Sequence, residues 1–303
     1  SGLSVPDWPL SYGRFFPPMI GGIRYEHTHR LIALAVAVLT LALMAVLMKH
    51  EKRRWVATLG CASFFLVIAQ AVLGGITVLM LLPWGISVVH ACTAQTFFAV
   101  VCLLVLFTSS WWRKQAGNDP SAEPSSLKLC VATTFLIYLQ LVLGAWVRHT
   151  GMGVAVGLHI ILAFLILFLG IASGLAVLSS LVAPIAFLGG MTAFLVIVQF
   201  FLGIGALVAT RLSVQGAPAF FANIFFPTAH QALGAVILAS SAVLTAMVAR
   251  ASRAGRPDQA AGGRLDLPAR PIRTGRQVQA AGGGSTEPAR ATRKDFARET
   301  TQG

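Results

Sequence analysis

Residues 154–178 read VAVGLHIILAFLILFLGIASGLAVL, without one Asp, Glu, Lys or Arg and with a single histidine, His159. A run that long and that apolar is a membrane span. A helix rising 1.5 Å per residue needs roughly 20 such residues to cross a hydrocarbon core of about 30 Å. Six further stretches qualify, at about 26–48, 55–82, 85–110, 127–148, 184–209 and 227–249. Lipid offers no partner to a backbone amide, so each span must satisfy its own as a helix. Nothing alternates with the period of two that a membrane barrel requires. The chain is 56% hydrophobic and only 11% charged, more apolar surface than a water-soluble domain could hide. The predicted fold class is an all-α membrane protein.

The formal charge of +13 suggests nucleic acid until its placement is read. Basic residues gather at Lys49, Lys52, Arg53 and Arg54, at Arg113 and Lys114, and after Arg250. Even numbers of crossings join these clusters, so they share one side of the bilayer, and by the positive-inside rule that side is the cytoplasm. Ser1 and the loops near 81–86, 149–153 and 210–226 then face outward from the cell (inner) membrane. The charge orients the protein and calls for no nucleic acid; its expected partner is membrane lipid. Cys61, Cys92, Cys102 and Cys130 fall in or beside apolar spans, with no CxxC pair, and read as small buried hydrophobes. Residues 251–303, rich in Ala, Gly, Arg and Pro, read as a disordered basic cytoplasmic tail.

A repeat organises the spans. Gln70-x-x-Leu73-Gly74, Gln140-x-x-Leu143-Gly144 and Gln199-x-x-Leu202-Gly203 each lie inside one, and His29 precedes Gln70 much as His159 precedes Gln199. Residues 26–110 therefore read as a copy of 156–249. The second copy has one more helix at its front, 127–148, and Met152-Gly153 aligns with Ser1-Gly2. The expectation is two pseudo-symmetric four-helix bundle halves, with seven of eight helices in this chain and the first one absent. The divisions are an extracytoplasmic loop 1–25, a first half 26–112, a cytoplasmic loop 113–126, a second half 127–250 and the tail 251–303.

Ionisable groups inside spans are costly and are candidates for function. His29, His90, His159 and His230 each lie within about two turns of the outward end of a span, in matching repeat positions. Neutral imidazole is the commonest metal ligand, and haem iron accepts one on each axial face. Zinc would need further ligands at each site, and the second half offers none. The pairs His29–His90 and His159–His230 are thus candidate haem ligands, one haem per half. Glu26, three residues before His29 and on the same helical face, has Val156 at its aligned position. A one-sided carboxylate suggests chemistry in the first half and electron transfer in the second; the plainer reading pairs Glu26 with Arg30 or Arg24. Arg148 and Arg211 end helices on the histidine side, where either could pair with a haem propionate. His27 points to another face and is expected at the interface.

These residues carry a resemblance. Gly2-Leu3-Ser4-Val5-Pro6-Asp7-Trp8-Pro9, Glu26-His27-Thr28-His29-Arg30, Leu73-Gly74-Gly75 with His90, Gly144-Ala145-Trp146-Val147-Arg148 and His230-Gln231-x-Leu233-Gly234-Ala235 together resemble haem A synthase, from Ser1 to about Arg250. The resemblance implies eight helices in two similar halves and an oxidoreductase. That enzyme converts the C8 methyl group of haem O to the formyl group of haem A, with water as the oxygen source. His29 and His90 would then flank the substrate haem, His159 and His230 would hold haem b, and Glu26 would fall on the family's essential glutamate. Implied partners are haem O delivered by a haem O synthase, the assembly of a terminal oxidase, and an electron acceptor such as a quinone. The chain departs from many bacterial members in having no cysteine in residues 1–25, and its basic tail is not a family feature. A dihaem b-type electron-transfer cytochrome is the alternative; Glu26 favours the enzyme.

Overall fold

The computed structural model describes residues 3–114, 124–211 and 217–254. Eight helices form among them and no strand: α1 (Ile23–His50), α2 (Arg54–Leu79), α3 (Trp84–Thr108), the short α4 (Ser110–Lys114), α5 (Pro124–Thr150), α6 (Gly153–Ala176), α7 (Ala183–Arg211) and α8 (Ala217–Ala254). Seven of them are long and apolar enough to cross a membrane, which bears out the all-α membrane class. Local chemistry sets the reversals. Gly151, at φ 64°, bonds its amide to Val147 O at 2.9 Å and closes α5, the left-handed stop that glycine takes without a Cβ penalty. Between α2 and α3 the turn runs through Leu81 and Leu82, both at positive φ, into Pro83, which precedes the first residue of α3. The Glu51 and Arg53 side chains bond each other at 2.7 Å, and Arg53 also donates to Phe107 O at 2.9 Å. The guanidinium holds Glu51 down to about 2.

Two boundaries differ from the predicted ones. The last span was expected from about 227; α8 instead begins at Ala217 and runs through Pro227. The ring nitrogen of Pro227 cannot donate to the Asn223 carbonyl, a loss that spanning helices tolerate. The expected outer loop 210–226 is correspondingly short, and 212–216 lie outside the described residues. At the other end α8 continues to Ala254, past the predicted start of the tail; the rest of the tail, 255–303, also lies outside them.

Burial is arranged for lipid rather than water. Leu34, Leu39, Phe65, Phe164 and Phe194 are exposed, whereas Ser63, Thr133, Ser173, Thr192 and Ser241 are buried. Small polar residues let spanning helices approach and bond across the gap. Thr134 Oγ1 on α5 meets Ser241 Oγ at 2.7 Å and Thr245 Oγ1 at 2.9 Å on α8. A Cβ on Gly174 of α6 would stand 2.6 Å from the Gly189 carbonyl of α7. All four cysteines are free, Cys130 fully buried.

The second half closes as a four-membered ring: α5 packs on α6, α6 on α7, α7 on α8 and α8 on α5. Diagonal partners α6 and α8 do not touch backbone to backbone. In the first half α1 packs on α2 and α2 on α3, while α1 and α3 stand apart like the α6–α8 diagonal. The halves join where α3 meets α5 and α8.

Candidate functional site

His29, His90 and His159 all fall about two turns into α1, α3 and α6, and His230 three residues beyond Pro227 in α8. All four helices start at the same end of the bundle. Across the second half His159 and His230 face each other over the α6–α8 diagonal, ring centres 6.2 Å apart and planes 76° to one another. A metal–imidazole bond of about 2.0–2.1 Å, with roughly 1.2 Å from ring nitrogen to ring centre, puts two axial imidazoles on one metal about 6.4 Å apart. The observed separation is close to that value. Both histidines are half-buried.

The glutamines of the repeat attend these rings. Gln199 donates through Nε2 to His230 O at 2.9 Å, and Gln140 does the same to His159 O at 2.8 Å. His230 Nδ1 lies 3.2 Å from the Gln199 carbonyl. A proton on Nδ1 donates there, the usual way a ligating histidine has its tautomer fixed, while Nε2 lies 3.5 Å from Gln199 Nε2. His159 Nδ1, Gln140 Oε1 and Gln199 Oε1 are buried with no hydrogen-bond partner. Among the described residues no three His, Cys, Asp or Glu gather as a metal-ion cage would require. Two facing imidazoles alone are the donor set of a haem iron, so the residues present fit that group.

The first half is built differently. His90 is half-buried beside Gln70, whose Nε2 comes within 3.4 Å of its Nε2. His29 is exposed on α1, and α1 does not pack on α3. Glu26 is engaged through both oxygens: Oε2 accepts from the Ser4 amide at 2.9 Å and the Val5 amide at 3.2 Å, and Oε1 pairs with Arg30 at 2.9 Å. The pairing with Arg30, one of the two readings of Glu26, is present in the structure. Arg30 also donates to the carbonyls of Asp7 (2.8 Å), Val5 (3.4 Å) and Leu10. These bonds fold the segment Leu3–Arg14 over the start of α1.

Sequence reasoning missed the depth of that lid. His27, expected at the interface, is 5% exposed and hydrogen-bonds through Nδ1 to Ser11 Oγ at 2.9 Å, with Nε2 unpartnered. Glu26, His27 and Arg30 share one face of α1, since positions three and four apart are neighbours, and that spacing was the available signal. Trp8 closes the segment from the other side: a Cβ on Gly75 would stand 2.7 Å from its ring. Asp7 fixes the turn, accepting from the Tyr12 amide at 2.7 Å and the Gly13 amide at 2.8 Å. The Gly13 amide is the main reason its carboxyl lies below the ordinary range, against the cost of desolvation. Arg148 is exposed in the last turn of α5, at the histidine end; the Arg211 side chain lies outside the described residues.

Fold and site together define a helical membrane protein with two imidazoles facing each other between diagonal helices. Among curated proteins, a haem A synthase of Lysinibacillus sphaericus (strain C3-41) is 31% identical over 150 residues, 48% of this chain and 48% of that protein. The likeness relates this chain to the haem A synthase family, and the chain spans about half the length of the curated relative in the match. No family model matches the chain, and no solved structure matches it.

Proposed function

We propose that this protein is a membrane oxidoreductase of haem A biosynthesis that oxidises the C8 methyl group of haem O to the formyl group of haem A. The observation that carries this reading is the His159–His230 geometry, 6.2 Å between ring centres, taken with the likeness to haem A synthase. The oxidation balances as a methyl group and one water giving a formyl group, four electrons and four protons. His159 and His230 hold a b-type haem, which supplies one-electron transfer toward an acceptor of the quinone class. His29 and His90 bind the substrate haem O, received from a haem O synthase, and the product serves terminal-oxidase assembly. Arg148, at the same end, meets a propionate.

Glu26 is proposed as the catalytic carboxylate. Both its oxygens already accept hydrogen bonds, which hold the carboxylate in one orientation. A charge held in place before the reaction stabilises positive character developing at the methyl carbon without reorganisation. By the distribution of basic residues the histidine end faces outward and residues 49–54 and 113–114 face the cytoplasm. The test is to purify the full chain, measure haem and its low-spin bis-imidazole absorption, and supply haem O. Glu26→Ala should keep its haem and make no haem A. Normal haem A production by that variant would overturn the catalytic assignment, and a wild-type protein free of haem would overturn the whole reading.

A further inference from the structure

We propose that Gly74, Gly144 and Gly203 are positioning residues, each forming with the glutamine one turn before it a seat that sets the rotation and depth of an iron-binding imidazole. The inference rests on the haem reading above and concerns how the ligands are aimed. A Cβ added at Gly74 would stand 3.1 Å from Cε1 of His90, one at Gly144 3.1 Å from Cε1 of His159, and one at Gly203 2.9 Å from Cε1 of His230. The same ring carbon is met three times, by the same residue of a thrice-repeated motif, on three different helix pairs. Other close glycines meet apolar groups: Gly60 faces Leu47, Gly170 faces Val196 and Gly205 faces Phe226. Among the described glycines these three alone meet a histidine, so the contact is not the general closeness of spanning helices.

Cε1 lies between the two ring nitrogens, so whatever touches it controls where both point. Glutamine and glycine, four residues apart, share a helix face, and the ring's edge lies against the bare glycine while the glutamine bonds alongside. At Gly203 the seat is reciprocal. Gly203 of α7 admits the His230 ring, and Gly234, one turn after His230 on α8, admits the Gln199 amide, whose Nε2 a Cβ would meet at 3.2 Å. The seat also explains the ring angle. With His159 held by α5 and His230 by α7, the two planes are set independently and end near-perpendicular, 76° apart. Perpendicular axial planes leave the two iron d orbitals they contact nearly equal in energy, and a ferric haem between them gives a highly anisotropic low-spin resonance.

The experiment compares wild type, Gly203→Ala, Gly144→Ala and Gly205→Ala, each as the full chain purified in detergent with the haem it acquires in the membrane. Haem per protein, the ferric low-spin resonance and the midpoint potential are read alongside helical content by circular dichroism. Wild type should give the highly anisotropic signal. Gly203→Ala, the tightest seat, should lose at least half of the second-half haem, or keep it with altered anisotropy and a shifted potential. Gly144→Ala should change the same centre to a lesser degree. Gly205→Ala meets Phe226 at 2.5 Å, crowding α7 even more without touching a histidine, and should leave resonance and potential unchanged. A wild-type chain that holds bis-imidazole haem while Gly203→Ala leaves its resonance and potential intact overturns the seat. Equal changes in Gly203→Ala and Gly205→Ala also overturn it, by reducing the effect to crowding. A wild-type chain with no haem overturns instead the function on which the seat rests.

Discussion

Replacing Arg30 by alanine should release the segment Leu3–Arg14 from α1 while leaving the spans in place. The guanidinium pairs with Glu26 at 2.9 Å and donates to the Asp7, Val5 and Leu10 carbonyls. Hydrogen bonds to a charged group contribute about 1.5–3 kcal/mol each, and breaking a buried pair costs about 3–5 kcal/mol. These terms overlap, and the side chain is 14% exposed, so about 3 kcal/mol for the whole clasp is a fair estimate. At 1.36 kcal/mol per tenfold, opening of the segment should become roughly a hundredfold more frequent. Hydrogen exchange by mass spectrometry reads this directly, because the Ser4 and Val5 amides are held by Glu26 and the Tyr12 and Gly13 amides by Asp7. Peptides covering residues 3–14 should exchange about a hundredfold faster, with those from α5 to α8 unchanged. Arg24→Ala, which loses a bond to the Tyr25 hydroxyl, is the control. Exchange in Arg30→Ala within about threefold of wild type would refute the view that this guanidinium holds the lid.

His159→Ala and His230→Ala should each convert the same low-spin centre to a high-spin one or empty it, and the double variant should lose that centre and no other. Separate effects on two centres would break the pairing. The lid should also respond to acid. The Asp7 carboxyl lies below its ordinary 3.8 in the folded chain, so its contribution is fully present above that value and fades as pH falls through the lowered folded one. The fluorescence assigned to Trp8, taken as the difference between wild type and Trp8→Phe, should therefore shift on acidification below about 4, and Asp7→Asn should already show the shifted spectrum at neutral pH.

The spans were legible because lipid imposes one rule, length of apolar run, and that rule is written residue by residue. Their ends were less so. A proline's missing amide argues against a helix interior, yet α8 starts at Ala217 and runs through Pro227, a loss a spanning helix can carry. The histidines stood out through the repeat, and their common level follows from counting turns. What no pattern could give was the distance between rings on α6 and α8, which depends on how four helices close upon each other. The lid was hidden for a related reason. Glu26 and Arg30 announced a partner by their spacing, but the amides and carbonyls they hold belong to a segment whose path is set by Asp7, Trp8 and the bare surface of Gly75.

The seam between the halves has its own consequence. Helix α3 carries His90 and lies directly against α8, which carries His230. The two histidines proposed as ligands, one in each half, are therefore mounted on adjoining walls. With an iron in each half, charge would cross directly from α3 to α8, and a tilt of either helix would be felt on both sides of the seam.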